Sequence, residues 1–172
     1  MTDRLEIVNT TPQDLEQIHT FFEESIRYQL ERGYPDWKNY DRNAIVNDIR
    51  NNLQYKIISN DQMAIVFSVC YADKIIWREH ERGDALYLHR IVVNPAFKGK
   101  KLFGQILAWA KQHCVAQGLK KIRMDTWAQN PNIIQYYLTF GFRIIENYTT
   151  PDTEDLPIHN RRLALTLLEY DV

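Results

Sequence analysis

A chain of 172 residues and 20.5 kDa, with 45% hydrophobic and 25% charged residues, holds enough apolar material for one folded core, which excludes disorder, collagen-like repeats and a long two-domain layout. Lys and Arg total 21 against 22 Asp and Glu, so no overall positive field draws the chain to nucleic acid or an anionic membrane. Apolar runs such as Met63 to Val69 are too short to span a bilayer, Asp3, Arg4 and Glu6 stand where a signal peptide would be apolar, and neither Cys70 nor Cys114 belongs to a CxxC pair, which together predict a cytoplasmic protein without a disulfide framework.

Leu5 to Val8 reads as a short strand. Thr11-Pro12-Gln13-Asp14 then starts an amphipathic helix, with Thr11 as N-cap and Pro12 at the first helical position. Leu15, Ile18, Phe22, Ile26 and Leu30 recur at helical spacing until Gly33-Tyr34-Pro35 stops them. A second helix follows at about Arg42 to Leu53. From Gln54 the pattern changes: Tyr55 to Ile58, Met63 to Tyr71 and Leu86 to Val93 are rich in β-branched and aromatic residues, with Ser59-Asn60-Asp61-Gln62 as a hairpin turn. These segments predict an antiparallel meander. After Asn94-Pro95, a turn bearing lysines and glycines leads into a helix from Leu102 to Gln117, whose buried stripe is Leu102, Ile106, Trp109/Ala110 and Cys114 and whose end is Gly118. Lys121 to Trp127 is the next strand, Asn130 caps a helix from Pro131 to Phe140, and strands follow at Phe142 to Thr149 and from Arg161 to about Tyr170. A strand, a crossover helix and a further strand form a parallel pair. The predicted fold class is α/β (α+β): one domain over 1–172 with a mixed, mainly antiparallel sheet flanked by helices, in the order β-α-α-β-β-β-α-β-α-β-β.

The segment from Asn94 to Gly104 links a hydrophobic strand to a helix. A helix start offers unpaired backbone N–H groups and the positive end of the macrodipole, and three lysines add charge, so an oligophosphate fits here; a solvated basic turn has the same composition. Walker A is excluded, because Gly104 is followed by Gln105 and Ile106, and no GxGxxG is present. Leu88 to Val93, Asn94-Pro95 and Lys98 to Phe103 resemble the GNAT N-acetyltransferase superfamily, whose members carry a hydrophobic strand, then Pro-x-x-(Gln/Arg)-x-x-Gly-x-(Gly/Ala) and a helix. Lys98 stands where Gln or Arg is usual, Lys101 where the first motif glycine is usual, and Phe103 where the second small residue is usual, with Gly99 and Gly104 beside them. Asn130 to Phe142 is similar to the family's Asn-x-x-Ala-x-x-x-Tyr-x-x-x-Gly-Phe segment.

The resemblance implies acetyl-coenzyme A as cofactor, held by backbone at Ile91, Val92 and Val93, by Lys98, Gly99, Lys100, Lys101, Leu102, Phe103 and Gly104, and by Asn130 and Tyr137. It also implies that Tyr137 protonates the departing sulfur. From spacing alone, Tyr137 reads as a core aromatic alongside Ile133 and Phe140, and Asn130 as an ordinary N-cap. For the base, His89 suits a role near neutral pH, with Asp125 or an ordered water as alternatives; Arg123 shares a strand face with Asp125 and could simply pair with it. Alternation places Tyr87, His89 and Ile91 on one face. Tyr28, Trp37, Tyr87, Asp125 and Trp127 are the expected walls for an amine, His159 a further one, and the aromatics in and after the first helix read equally as a loop packed on the core. His80-Glu81 lacks the second histidine of H-E-x-x-H, so no metal is implied. The expected activity is acetyl-CoA-dependent N-acetylation of a small or protein amine by direct transfer in a ternary complex, with a non-catalytic acyl-CoA sensing module as the alternative. The expected partners are the amine acceptor and a second copy in a homodimer, with no nucleic acid and no membrane.

Overall fold

The computed structural model describes residues 5–35, 40–156 and 158–172, and of His159 the backbone alone. Trp37 lies outside the described residues. Seven strands, β1 (Leu5–Asn9), β2 (Gln54–Ser59), β3 (Gln62–Cys70), β4 (Ala85–Val93), β5 (Lys121–Trp127), β6 (Arg143–Thr149) and β7 (Ala164–Asp171), follow the order β1-β2-β3-β4-β5-β7-β6. The helices are α1 (Leu15–Glu31), α2 (Arg42–Arg50), α3 (Lys74–Trp77), α4 (Phe103–Gln117) and α5 (Pro131–Leu138). The pairs β1–β2, β2–β3, β5–β7 and β6–β7 are antiparallel and β4–β5 is parallel, so the sheet is mixed and mainly antiparallel as its element order predicts. No helix among the described residues is long and apolar enough to cross a membrane.

The chain forms two compact units, one from 1–69 and 89–103, the other from 70–88 and 104–172. In the first, Ile18, Phe21 and Phe22 of α1 pack with Ile45 and Ile49 of α2, Met63 and Val66 of β3, and Val92 of β4. Local signals set its boundaries. Thr11 N–H donates to Asp14 Oδ2 at 2.7 Å before a 3-10 turn that leads into α1. Asp41 accepts from Asn43 N–H at 2.9 Å and Ala44 N–H at 3.1 Å to start α2. Asn60 and Asp61 take φ of 48° and 63°, the left-handed pair that a two-residue hairpin requires. Leu30, assigned by spacing to the apolar stripe of α1, is 55% exposed in the helix's last turn.

In the second unit, Trp77, Ala85, Tyr87, Leu165 and Leu167 form a core. Ile106, Ala110 and Cys114 of α4 are buried at the expected spacing. The periodicity does not announce α3, which is four residues long; Asp73 starts it by accepting from Ile76 N–H at 3.2 Å. The last strand begins at Ala164 rather than Arg161, because Arg161 Nε donates to the Leu156 carbonyl at 2.8 Å and stays in the preceding loop.

Candidate active site

In the first unit, the upper part of β4 leads into the lysine turn. Arg90 has φ of +50°, a left-handed conformation in mid-strand that costs about 1–2 kcal/mol for a residue with a Cβ. An ion pair from Arg90 to Asp48 of α2 ties its side chain down. The pleat is interrupted here, so counting by twos from Tyr87 and His89 does not carry to Ile91. His89 is half-buried, and burial, with the Arg90 charge beside it, pushes its imidazole down to about 3. The ring is therefore neutral at neutral pH and weakly basic.

Asn94 anchors the start of the turn: its N–H donates to the Ala64 carbonyl at 2.9 Å, its Nδ2 donates to the Met63 carbonyl at 2.8 Å, and its Oδ1 accepts from Ala96 N–H at 3.0 Å. Pro95 to Phe97 form a 3-10 turn with Phe97 buried. Beyond it Gly99 has φ of +80° and Lys101 φ of +53°. Lys101 thus keeps the left-handed backbone that a glycine would favour, at the position where the resemblance places one. Lys98, Lys100 and Lys101 are all exposed, with the Lys98 ammonium 2.9 Å from the Tyr28 ring centroid and that of Lys100 4.5 Å from the Phe97 centroid. The first turn of α4 follows, with N–H groups that have no intrahelical acceptor. Such N–H groups and lysines suit the charge of a diphosphate.

In the second unit, the parallel ladder runs from Ala85↔Lys121 to Tyr87↔Arg123. Its last rung is bonded through side chains, with Arg123 Nη1 donating to Tyr87 Oη at 2.9 Å, and Tyr87 Oη donating to Glu81 Oε2 at 2.7 Å. Arg123 Nε donates to Glu169 Oε2 at 2.8 Å, and the guanidinium lies 4.5 Å from the Trp77 ring centroid. Arg123 and Glu169 are each only 3% exposed. Burial acts to raise the Glu169 carboxyl, but its bonds to Lys121 and Arg123 outweigh this and hold it below the usual carboxylate range. Arg123 therefore engages Glu169 and Tyr87. Tyr87 itself is fully buried with its hydroxyl in this network, which makes it a structural element of the sheet and not an open wall.

Asn130 Oδ1 accepts from Ile133 N–H at 3.2 Å and caps α5, and Tyr137 is buried with its ring 6.3 Å from that of Phe142. Burial raises the Tyr137 phenol above its usual range, so it stays protonated at working pH. A Cβ built on Gly104 would meet only the Phe140 ring, at 3.5 Å, so packing alone does not demand glycine there. Trp127 is half-buried against the Trp77 and Tyr87 cluster, and Asp125 is half-buried. Glu79, His80 and Glu146 bring ligand atoms within 4.8 Å of one another, but Arg78 already pairs with Glu146 and offsets the charge a cation would need.

The family model described as Acetyltransferase (GNAT) family matches residues 70–142. The uncharacterized N-acetyltransferase YesJ of Bacillus subtilis (strain 168) is 21% identical over 141 residues, covering 77% of this chain and 78% of that protein. Among solved structures, a GNAT-family acetyltransferase from Listeria monocytogenes is 19% identical with a TM-score of 0.74, covering 98% of this chain and 95% of that one. PaiA N-acetyltransferase from Thermoplasma acidophilum, solved in complex with coenzyme A, is 17% identical with a TM-score of 0.70, covering 98% and 99%. At these identities the structural likeness speaks to the fold.

Proposed function

For a chain that carries the GNAT acetyltransferase domain over residues 70–142, we propose acetyl-coenzyme A-dependent N-acetylation of a primary amine, on a small molecule or a protein. The observation that carries the reading is the left-handed backbone at Gly99 and Lys101 just before α4, amid three exposed lysines. Sequence replaces a motif glycine here, yet Lys101 keeps the left-handed φ that a glycine would favour. Lys98 to Gly104 would hold the diphosphate, and Ile91 to Val93 and Asn130 the pantetheine arm.

When bound, acetyl-coenzyme A supplies the acetyl group as a thioester. The chain's own groups orient it and manage protons. Val93 N–H is the proposed donor to the carbonyl oxygen as negative charge develops there. Tyr137, protonated at working pH, gives its proton to the departing sulfur. His89 is weakly basic, so ordering a water that takes the amine proton suits it better than direct abstraction; Asp125 is the other candidate. In this scheme His89 gives the rate profile no limb near pH 6.5.

The test is thiol release from acetyl-coenzyme A by purified protein over a panel of primary amines. The reading expects amine-dependent turnover. Tight binding of acetyl-coenzyme A with no turnover on any amine identifies the sensing module instead, and absence of binding removes both.

A further inference from the structure

Three residues before Val93, the left-handed φ of +50° at Arg90 interrupts β4. In extended backbone successive N–H groups leave opposite edges of a strand, so one residue out of that conformation changes which edge the following N–H groups take. Asn94 N–H donates to the Ala64 carbonyl of β3 at 2.9 Å. Val93 N–H, one residue earlier, therefore leaves the edge of β4 away from β3. A residue with a Cβ is strained at the φ of Arg90 and needs its surroundings to hold it there. That hold comes from α2. The Arg90 guanidinium pairs with Asp48, whose side chain is 14% exposed, and Val92 packs with Ile45 and Ile49 of the same helix. Arg90 Nε is itself buried with no acceptor among the described residues, so the guanidinium depends on Asp48 for compensation of its charge.

We propose that Asp48 and Arg90 are positioning residues for acetyl transfer: by holding residue 90 left-handed, their ion pair keeps Val93 N–H where it meets the thioester carbonyl oxygen. The inference rests on the reading of Val93 N–H as the donor to that oxygen. Neither side chain touches the reacting atoms; both act through the backbone of Ile91 to Val93. Without the ion pair, residue 90 relaxes toward extended backbone and Val93 N–H is displaced. A donor moved by about 1 Å loses much of its hold on the developing charge. That charge exists only as the carbonyl is attacked, so the loss falls mainly on kcat.

The test separates backbone conformation from charge. The double variants Asp48→Asn/Arg90→Ala and Asp48→Asn/Arg90→Gly both lack the ion pair and differ by one methyl group, but only glycine takes a left-handed φ without strain. With acetyl-coenzyme A and the fastest amine of the panel, the alanine variant should lose about tenfold in kcat, with KM for acetyl-coenzyme A within about threefold of the wild type. The glycine variant should regain kcat to within about twofold of the wild type. A salt bridge that serves stability alone predicts the same rate for both variants. Amide NMR reads the backbone without turnover: the Val93 N–H signal of the glycine variant lies close to that of the wild type, and that of the alanine variant is displaced. Where the alanine variant fails to fold, Asp48→Asn alone takes its place, with a deficit in kcat that adding Arg90→Gly corrects. Equal kcat with alanine and with glycine, or a Val93 signal that stays in place with alanine, overturns the positioning role and leaves the transferase reading standing. A wild type that turns over no amine overturns both.

Discussion

Arg123 and Lys98 are both cations laid over aromatic rings, 4.5 Å from the Trp77 centroid and 2.9 Å from the Tyr28 centroid. Arg123 is buried, and its charge is matched by Glu169 at 2.8 Å and by the Tyr87 hydroxyl. A buried ion loses its hydration and depends on fixed partners, so this cluster holds the last rung of the β4–β5 ladder and does not exchange. Lys98 is exposed, with a long side chain and water as an alternative partner. A cation over an aromatic ring is a buried joint in the sheet and a solvent-exposed contact at the turn.

The largest expected effect comes from opening the buried cluster. Arg123→Met leaves Glu169 to Lys121 and Arg143 and should cost about 3 kcal/mol, lowering Tm by about 10 °C in thermal unfolding. A change of a degree or two would mean that the cluster is no joint.

Tyr137→Phe should lower kcat about 100-fold while leaving coenzyme A affinity within twofold, measured by steady-state rates and calorimetry.

Asp73 adjoins the buried cluster, its N–H donating to Glu81 Oε2 at 2.8 Å. Burial, with the Glu81 charge adding, pushes its carboxyl up to about 6 against the outweighed bond from Ile76 N–H. The folded state therefore binds the Asp73 proton more tightly than the unfolded state does. Its stabilising contribution is fully present below about pH 4 and is lost as pH rises through about 6. Asp73→Asn should raise stability at pH 7 by about 1–2 kcal/mol and flatten that pH dependence in denaturant titrations between pH 4 and 7.

At the open turn, removing Lys100 and Lys101 together by alanine should weaken coenzyme A binding about tenfold at low salt and less at high salt, with Tm nearly unchanged. Arg42→Ala, which breaks an exposed pair with Glu23, should cost less than about 0.5 kcal/mol and marks the solvated end of the scale.

What the sequence discloses follows from how local each signal is. The α4 stripe is readable because Ile106, Ala110 and Cys114 repeat with the helical period, and the 60–61 hairpin because its residue types match its backbone. Arg90 and Lys101 carry no such mark: a left-handed φ at a long cationic residue is imposed by its surroundings, at Arg90 with the Asp48 ion pair. The buried cluster is invisible locally because Glu169 becomes a neighbour of Arg123 only through the β5–β7 register. Alternation along β5 alone instead suggests Asp125 as its partner. At the candidate site, the roles of the turn and of Tyr137 come from the family resemblance and are proposals; spacing alone makes Tyr137 a core aromatic. The contact of Lys98 with the Tyr28 ring is not legible in the sequence, since the two residues are 70 apart.

An amide NMR titration of the labelled protein with coenzyme A tests the central claim most directly. The account predicts that the largest shifts fall on the N–H groups from Lys98 to Gly104. Saturable binding that leaves those signals in place and perturbs another region, or no binding, would contradict it.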